Sequence, residues 1–302
     1  MSQWLGRVVV ITGAGSGIGR SLAELCAAEG AHLALGDINE KSLRETATAL
    51  EERGTRVIYR AFDVSRAEDC HAFAAQVEAS FGRADVLFNN AGVSLSNLAL
   101  ETQRRDFEWL FNINFWGVVN GCEAFHKLLQ RSPRAQIINI SSLFGLIGVA
   151  SQAAYCASKF AVRGYSESLR AELAPLGIRV SGVYPGGVAS NIVSNGRHYK
   201  DVLGEKTDTT QQQGSFARLA RLSPDAAARI ILRGAMRGRT RILVGRDALF
   251  FDRLQRYLPR LAPLLIDRAV RYLRRRIRSK AAPQSGLKPG AAPSPEQEKA
   301  AG

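Results

Sequence analysis

Lysine is scarce in this chain: 8 of the 41 Lys plus Arg residues are lysine and 33 are arginine. Cysteine is scarce too, and Cys26, Cys70, Cys122 and Cys156 lie far apart with no CxxC spacing. Such scatter excludes a disulfide framework and a zinc site, and it predicts buried, reduced thiols. The four histidines, His32, His71, His126 and His198, have no ligand spacing, so no catalytic metal is expected. No run of about 18 uninterrupted apolar residues occurs, so no spanning helix is expected. The opening "MSQWLGRVVV" lacks the apolar core and small-residue end of a secretory signal. The expected location is the cytoplasm, with at most peripheral membrane contact.

Acidic residues are also in deficit, 27 against 41 basic, for a net charge of +14. The surplus is local. Residues 246–280 hold 11 basic and 3 acidic residues, while residues 1–245 carry +6. Of the 302 residues, 46% are hydrophobic, enough for a sizeable core.

Apolar runs alternate with helical patterns. Strands are predicted at 7–12, 31–37, 56–64, 84–92, 135–141, 178–187 and 240–245, and helices at 17–29, 40–53, 66–81, 103–131, 152–174 and 224–237. Strands apolar on both faces, separated by helices, predict an α/β fold: a doubly wound parallel sheet of about seven strands covered on both sides. One such unit is expected over 1–246. Within it, 190–222 is polar and weakly periodic and follows a strand end, which suggests a mobile lid over a ligand. Residues 247–280 form a basic amphipathic extension, which Pro259 and Pro263 are expected to break into shorter helices. The Pro-, Gly- and Ala-rich tail, 281–302, is expected to be disordered.

"TGAGSGIG" (12–19) lies between the first strand and the first helix. Gly13, Gly17 and Gly19 allow a sharp turn and a close backbone approach to a pyrophosphate at a helix N-terminus. A tight turn without ligand is the competing reading. Asp37 ends the second strand, where a carboxylate can accept from the ribose hydroxyls of NAD and repel the 2′-phosphate of NADP; a helix-capping Asp is the alternative. Asp63 and Val64 can hold adenine edges, and the amides of "NNAG" (89–92) can bond to backbone and cofactor.

Only one of the seven tyrosines, Tyr155, has a lysine four residues on, Lys159. On a helix these two share a face. A phenol titrates near 10, and a neighbouring ammonium together with oxidised nicotinamide is expected to lower that value, making Tyr155 an acid and base for a carbonyl–alcohol pair. Ser142 stands 13 residues earlier and can hold the substrate oxygen, with Ser141 as competitor. Asn114, in the apolar stretch "NINFWG", suggests an ordered water serving Lys159, or else a satisfied core amide.

Taken together, "TGAGSGIG", Asp37, "DV" (63–64), "NNAG", Asn114, "ISS" (140–142), "YCASK" (155–159) and "PGGVAS" (185–190) resemble the short-chain dehydrogenase/reductase family, in family order across residues 5–245. The resemblance implies a Rossmann-type fold and a catalytic set of Asn114, Ser142, Tyr155 and Lys159, with Ser142 preferred to Ser141. It implies a dinucleotide held by Gly13, Ser16, Gly17, Ile18, Gly19, Asp37, Asp63, Val64, Asn90, Ala91, Gly92, Tyr155, Lys159, Pro185, Gly186, Val188 and Ser190. Ser190 stands where the family usually has Thr. NAD(H) is favoured by Asp37; NADP(H) is the alternative, with Arg20 and Arg60 as phosphate partners. The extension resembles that of a subgroup acting on lipophilic alcohols and ketones. It replaces a segment used in tetramer packing, so a homo-oligomer is expected as a dimer in preference to a tetramer. The expected partner is a small alcohol, ketone or aldehyde. Two other readings are a nucleotide-sensing protein without turnover, which needs no proton donor, and nucleic-acid binding through "RYLRRRIRSK", for which no recognition module exists.

Overall fold

The protein is described here from a computed structural model covering residues 4–201, 204–220 and 222–281. Strand β1 (Val8–Thr12) is buried at every position. The chain continues through α1 (Gly17–Ala28), β2 (His32–Asp37), α2 (Glu40–Glu51), β3 (Val57–Ala61), α3 (Ala67–Phe81), β4 (Val86–Asn89) and the short β5 (Leu95–Ser96). After α4 (Arg104–Phe111) comes α5 (Gly117–Gln130), then β6 (Gln136–Ile140), α6 (Ala153–Leu173), β7 (Arg179–Pro185) and the two-residue β8 (Arg197–His198). The last elements are α7 (Thr209–Leu219), α8 (Pro224–Met236), β9 (Arg241–Val244), α9 (Arg246–Tyr257) and α10 (Ala262–Ala281).

Seven strands form one sheet in the order β3-β2-β1-β4-β6-β7-β9, with every pairing parallel. This is the doubly wound Rossmann-type sheet the strand pattern predicts. Its order reverses between β1 and β4, so a crevice opens there above the carboxyl ends of the strands. One apolar layer joins Leu22, Leu43 and Ile231 to one face of the sheet. The other joins Phe73, Phe125 and Val162 to the opposite face.

Three expectations change. The helix expected over 103–131 is interrupted by a π-helical turn, Asn112–Trp116, between α4 and α5. The segment read as weakly periodic, 190–222, contains β8, which pairs with β5 in a separate two-strand ladder, and α7, whose N-terminus is capped by Asp208 accepting from the Gln211 N–H at 2.8 Å. In the extension, only the stretch around Pro259 separates the helices. Pro263 sits instead in the first turn of α10, where a missing N–H costs no helical hydrogen bond. Residues 202, 203 and 221 of the expected lid, and the expected disordered tail from 282 on, lie outside the described residues.

The extension is built into the body. Ala262 and Ile266 of α10 pack with Leu143, Leu146, Ile147 and Tyr184. Arg241 of β9 pairs with the buried carboxylate of Asp252 on α9.

Candidate active site

Every predicted site residue apart from those on helices lies at or just after the carboxyl end of a sheet strand. The Gly-rich loop leaves β1 with Gly13 at φ +68° and enters α1 through Gly17 at φ +53°. A Cβ at Gly19 would lie 2.0 Å from the Gly13 carbonyl oxygen, so only glycine fits there. No side chain caps α1 and its first turn carries no acid, which leaves a helix N-terminus suited to a phosphate anion. Thr12, not singled out from sequence, braces the crevice. Its hydroxyl oxygen accepts from the N–H groups of Asn90 (3.0 Å) and Ala91 (3.1 Å). Asn90 donates back to the carbonyls of Thr12 at 2.9 Å and Gly13 at 3.1 Å.

Asp37 ends β2, as expected. Its two carboxylate oxygens accept from the N–H groups of Gly15 and Asn39, each at 2.9 Å. It therefore ties the Gly-rich loop to β2 as well as presenting a negative charge there. Asp63 accepts from the Ser65 N–H at 2.9 Å, and the Val64 carbonyl accepts from Asn120 at 2.9 Å. Val64 is buried and packs close to Gly117.

The acid–base pair adjoins this crevice. A Cβ on Gly13 would sit 2.9 Å from the Ala91 Cα, and one on Gly92 would sit 3.3 Å from Lys159 Nζ and 3.2 Å from Asn114 Oδ1. The backbone of Gly13, Ala91 and Gly92 thus runs close beside the lysine. Lys159 Nζ donates to the Ile140 carbonyl at 3.1 Å and lies 5.8 Å from the centre of the Tyr155 ring. The Ser142 side chain faces the Tyr155 phenol closely enough to favour its ionised form. Ser141 donates instead to the Lys159 carbonyl at 2.8 Å, a bond that braces α6. The structure thereby separates the two serines.

Asn114 lies in the π-helical turn and is fully buried. Its amide donates to the Val93 carbonyl (3.0 Å) and to Ser158 Oγ (3.2 Å), and its oxygen accepts from the Val93 N–H (2.9 Å). Both donors are engaged, and the side chain holds the 90–94 loop against α6.

Burial governs the charges. The Tyr155 phenol is pushed up to about 12, because desolvation outweighs the opposing influence of Ser142. The Lys159 ammonium is pulled down to about 8 by the same burial. The expectation from sequence counted the ammonium and an oxidised nicotinamide; burial, which it did not count, is the largest influence on both groups, because each sits where its charge is expensive. Cys156 beside Tyr155 is buried and its thiol is raised to about 11, as a core thiol should be.

The "PGGVAS" loop leaves β7. A Cβ on Gly17 would meet Ser190 Cβ at 3.3 Å, which brings this loop against the start of α1. Val188 bridges to Leu222. A second unforeseen residue, Asp247 of α9, accepts the Gly187 N–H at 2.7 Å and crowds Gly186 so closely that a Cβ there would lie 2.1 Å from its carboxylate. Pro185 and Gly186 are held from the other side by β9, whose Val244 carbonyl accepts the Gly186 N–H at 2.9 Å. Tyr155 belongs to an apolar cluster with buried Leu95 and Leu110, against which half-buried Val93, Phe107, Trp109, Phe144 and Ile192 pack.

Residues 7–201 match the model of the short chain dehydrogenase family. SadH of Mycobacterium tuberculosis, an oxidoreductase by name, is 39% identical over 260 residues, 85% of this chain and 93% of that one. The 11-beta-hydroxysteroid dehydrogenase A of Sesamum indicum is 38% identical over 237 residues, 77% of this chain and 66% of that one. Among solved structures, a short chain dehydrogenase/reductase from Burkholderia phymatum in complex with NAD superposes with a TM-score of 0.75 at 32% identity, covering 85% of this chain and 95% of that one.

Proposed function

The chain belongs to the short-chain dehydrogenase family, an oxidoreductase family, and from that premise we propose that it interconverts a lipophilic secondary alcohol and its ketone with NAD(H), using Tyr155 as acid and base. The observation that carries the reading is the close approach of the glycine-rich backbone, through Gly13, Ala91 and Gly92, to Lys159 and with it to Tyr155. A nicotinamide dinucleotide, when bound, supplies or accepts the hydride. The residues of the chain do the rest. Ser142 holds the substrate oxygen beside the phenol, and Tyr155 gives a proton to that oxygen in reduction or takes it in oxidation. Lys159 is anchored by the Ile140 carbonyl, which keeps its amine between Tyr155 and the crevice.

Preference for NAD(H) is supported by Asp37, whose carboxylate lies beside the Gly-rich loop. Of the two arginines open to a 2′-phosphate in the NADP(H) alternative, Arg20 also pairs with Glu24 at 3.0 Å, which supports the NAD(H) reading. A lipophilic substrate is supported by the apolar cluster around Tyr155, and by a relative whose name assigns it a steroid. Ile192 belongs to that cluster, which supports a lid role for the segment that carries it.

The test is a substrate screen with steroids, fatty alcohols and bulky aryl ketones, following NADH and NADPH absorbance, on wild type and Tyr155→Phe. Tyr155→Phe should bind NADH as before and lose roughly 10²- to 10⁴-fold in kcat. A variant that turns over like wild type would overturn the acid–base assignment, and NADH binding by wild type with no turnover of any substrate would favour the sensor reading.

A further inference from the structure

Helices α9 and α10 turn one face to the body and leave another bare. Phe250 (60% exposed), Tyr257 (80%) and Leu264 (70%) are the most exposed of a run that includes Leu258, Leu261 and Leu265. Tyr257, Leu258, Leu261, Leu264 and Leu265 flank the turn between the two helices, Phe250 lies two turns back on the same face of α9, and on α10 the stripe continues at helical spacing through Arg268 to Tyr272. Soluble surfaces seldom gather so many large apolar groups in one place without a use for them.

Charge identifies the partner. The extension's three carboxylates are all engaged: Asp247 holds the Gly187 N–H, Asp252 pairs with Arg241 and Arg256, and Asp267 pairs with Arg271. Arg246, Arg253, Arg260 and Arg268 are exposed and make no ion pair among the described residues. What the segment shows outward is therefore apolar side chains interleaved with uncompensated guanidinium groups. Among the described residues no helix is long and apolar enough to cross a membrane, so the face is suited to lying on a bilayer.

We propose that the outer face of α9 and α10 docks on an anionic phospholipid surface, with Leu261, Leu264 and Tyr257 entering the headgroup boundary and the free arginines contacting phosphates. None of these exposed side chains takes part in the catalytic site, so the proposal stands or falls separately from the reading of the reaction.

Flotation of the full chain with phosphatidylcholine vesicles, and with vesicles of equal parts phosphatidylcholine and phosphatidylglycerol, tests it. The expected result is binding to the anionic vesicles alone, weakened by added salt. Leu261→Glu/Leu264→Glu should abolish it. Arg253→Gln/Arg260→Gln/Arg268→Gln should weaken it about a hundredfold, since each surface cation contributes about fivefold. Thermal melts should match wild type for both variants, because the substituted side chains are exposed. Absence of binding to anionic vesicles, or equal binding to both kinds, overturns the proposal. So does light scattering that shows a lipid-free oligomer which Leu261→Glu/Leu264→Glu dissociates, for then the face joins copies of this chain.

Discussion

Replacing Lys159 by Met should stabilise the protein while removing its chemistry. The amine is 2% exposed, and burial lowers it from 10.5 to about 8. Keeping it protonated at neutral pH therefore costs about 3 kcal/mol of folding free energy. Its bond to the Ile140 carbonyl, at 3.1 Å, returns about 1 kcal/mol. Met fills most of the same space, so the variant should gain about 2 kcal/mol at pH 7. The pH dependence is the sharper test. Between about pH 8 and 10.5 the unfolded chain holds this proton and the folded chain does not, so the lysine's penalty fades as pH rises. The stability gap between variant and wild type should shrink by about 2 kcal/mol from pH 7 to about pH 9.5. The buried thiols of Cys70, Cys122 and Cys156, raised to between about 11 and about 12, give the opposite slope but do so in both proteins, and cancel in the difference. Urea unfolding at the two pH values, followed by far-UV circular dichroism, measures the gap. A Lys159→Met protein less stable than wild type at pH 7, or a gap that ignores pH, would refute the reasoning.

Asp37→Ser should move the kcat/KM preference from NADH toward NADPH by at least about tenfold, because the substitution removes the charge that opposes a 2′-phosphate. It should also lower stability by about 1 kcal/mol, since the N–H groups of Gly15 and Asn39 lose their acceptors. Paired initial-rate and melting measurements check both, and an unchanged nucleotide ratio would mean that Asp37 serves the fold alone. Asp247→Ala should free the Gly187 N–H and loosen the loop after β7, raising KM for the nucleotide more than it lowers kcat. Steady-state kinetics with varied NADH decide this, and an unaltered KM would leave Asp247 a helix-terminal residue only.

The sheet was legible because its strands are apolar on both faces, as "RVVVIT" and "AQIINIS" show, and only a doubly covered parallel sheet buries such runs. The π-helical turn at Asn112–Trp116 was not, because a local change in hydrogen-bond register leaves no mark in side-chain periodicity over so short a stretch. Helix α7 was hidden by its own polarity: "TTQQQGSFARL" has too few apolar residues to show a period, although Asp208 three residues before Gln211 is a capping signal. At the site, Tyr155, Lys159 and the glycines could be found from spacing, but Thr12 and Asp247 could not. Thr12 acts through a hydroxyl that any strand-end threonine carries, and Asp247 reaches Gly187 from a helix beyond the last strand. The raising of the Tyr155 phenol by burial was hidden for a related reason. Sequence supplies the neighbouring charge, whereas burial, which dominates here, belongs to the packed structure.

The same contacts change how the extension has to be probed. Its removal after residue 246 would appear to be the direct experiment, yet α9 and α10 are part of the wall behind the site. Asp247 fixes the loop after β7, Asp252 neutralises Arg241 on the neighbouring strand, and Ala262 with Ile266 covers Leu143 and Tyr184 next to Ser142. A truncated chain would leave Arg241 without its buried partner and strip an apolar patch bare, at a cost of several kcal/mol. Loss of lipid binding or of turnover in such a protein would then report on unfolding. Substitutions confined to the outward side chains leave those inner contacts intact, so they alone can separate what the extension does for the site from what it does toward a membrane.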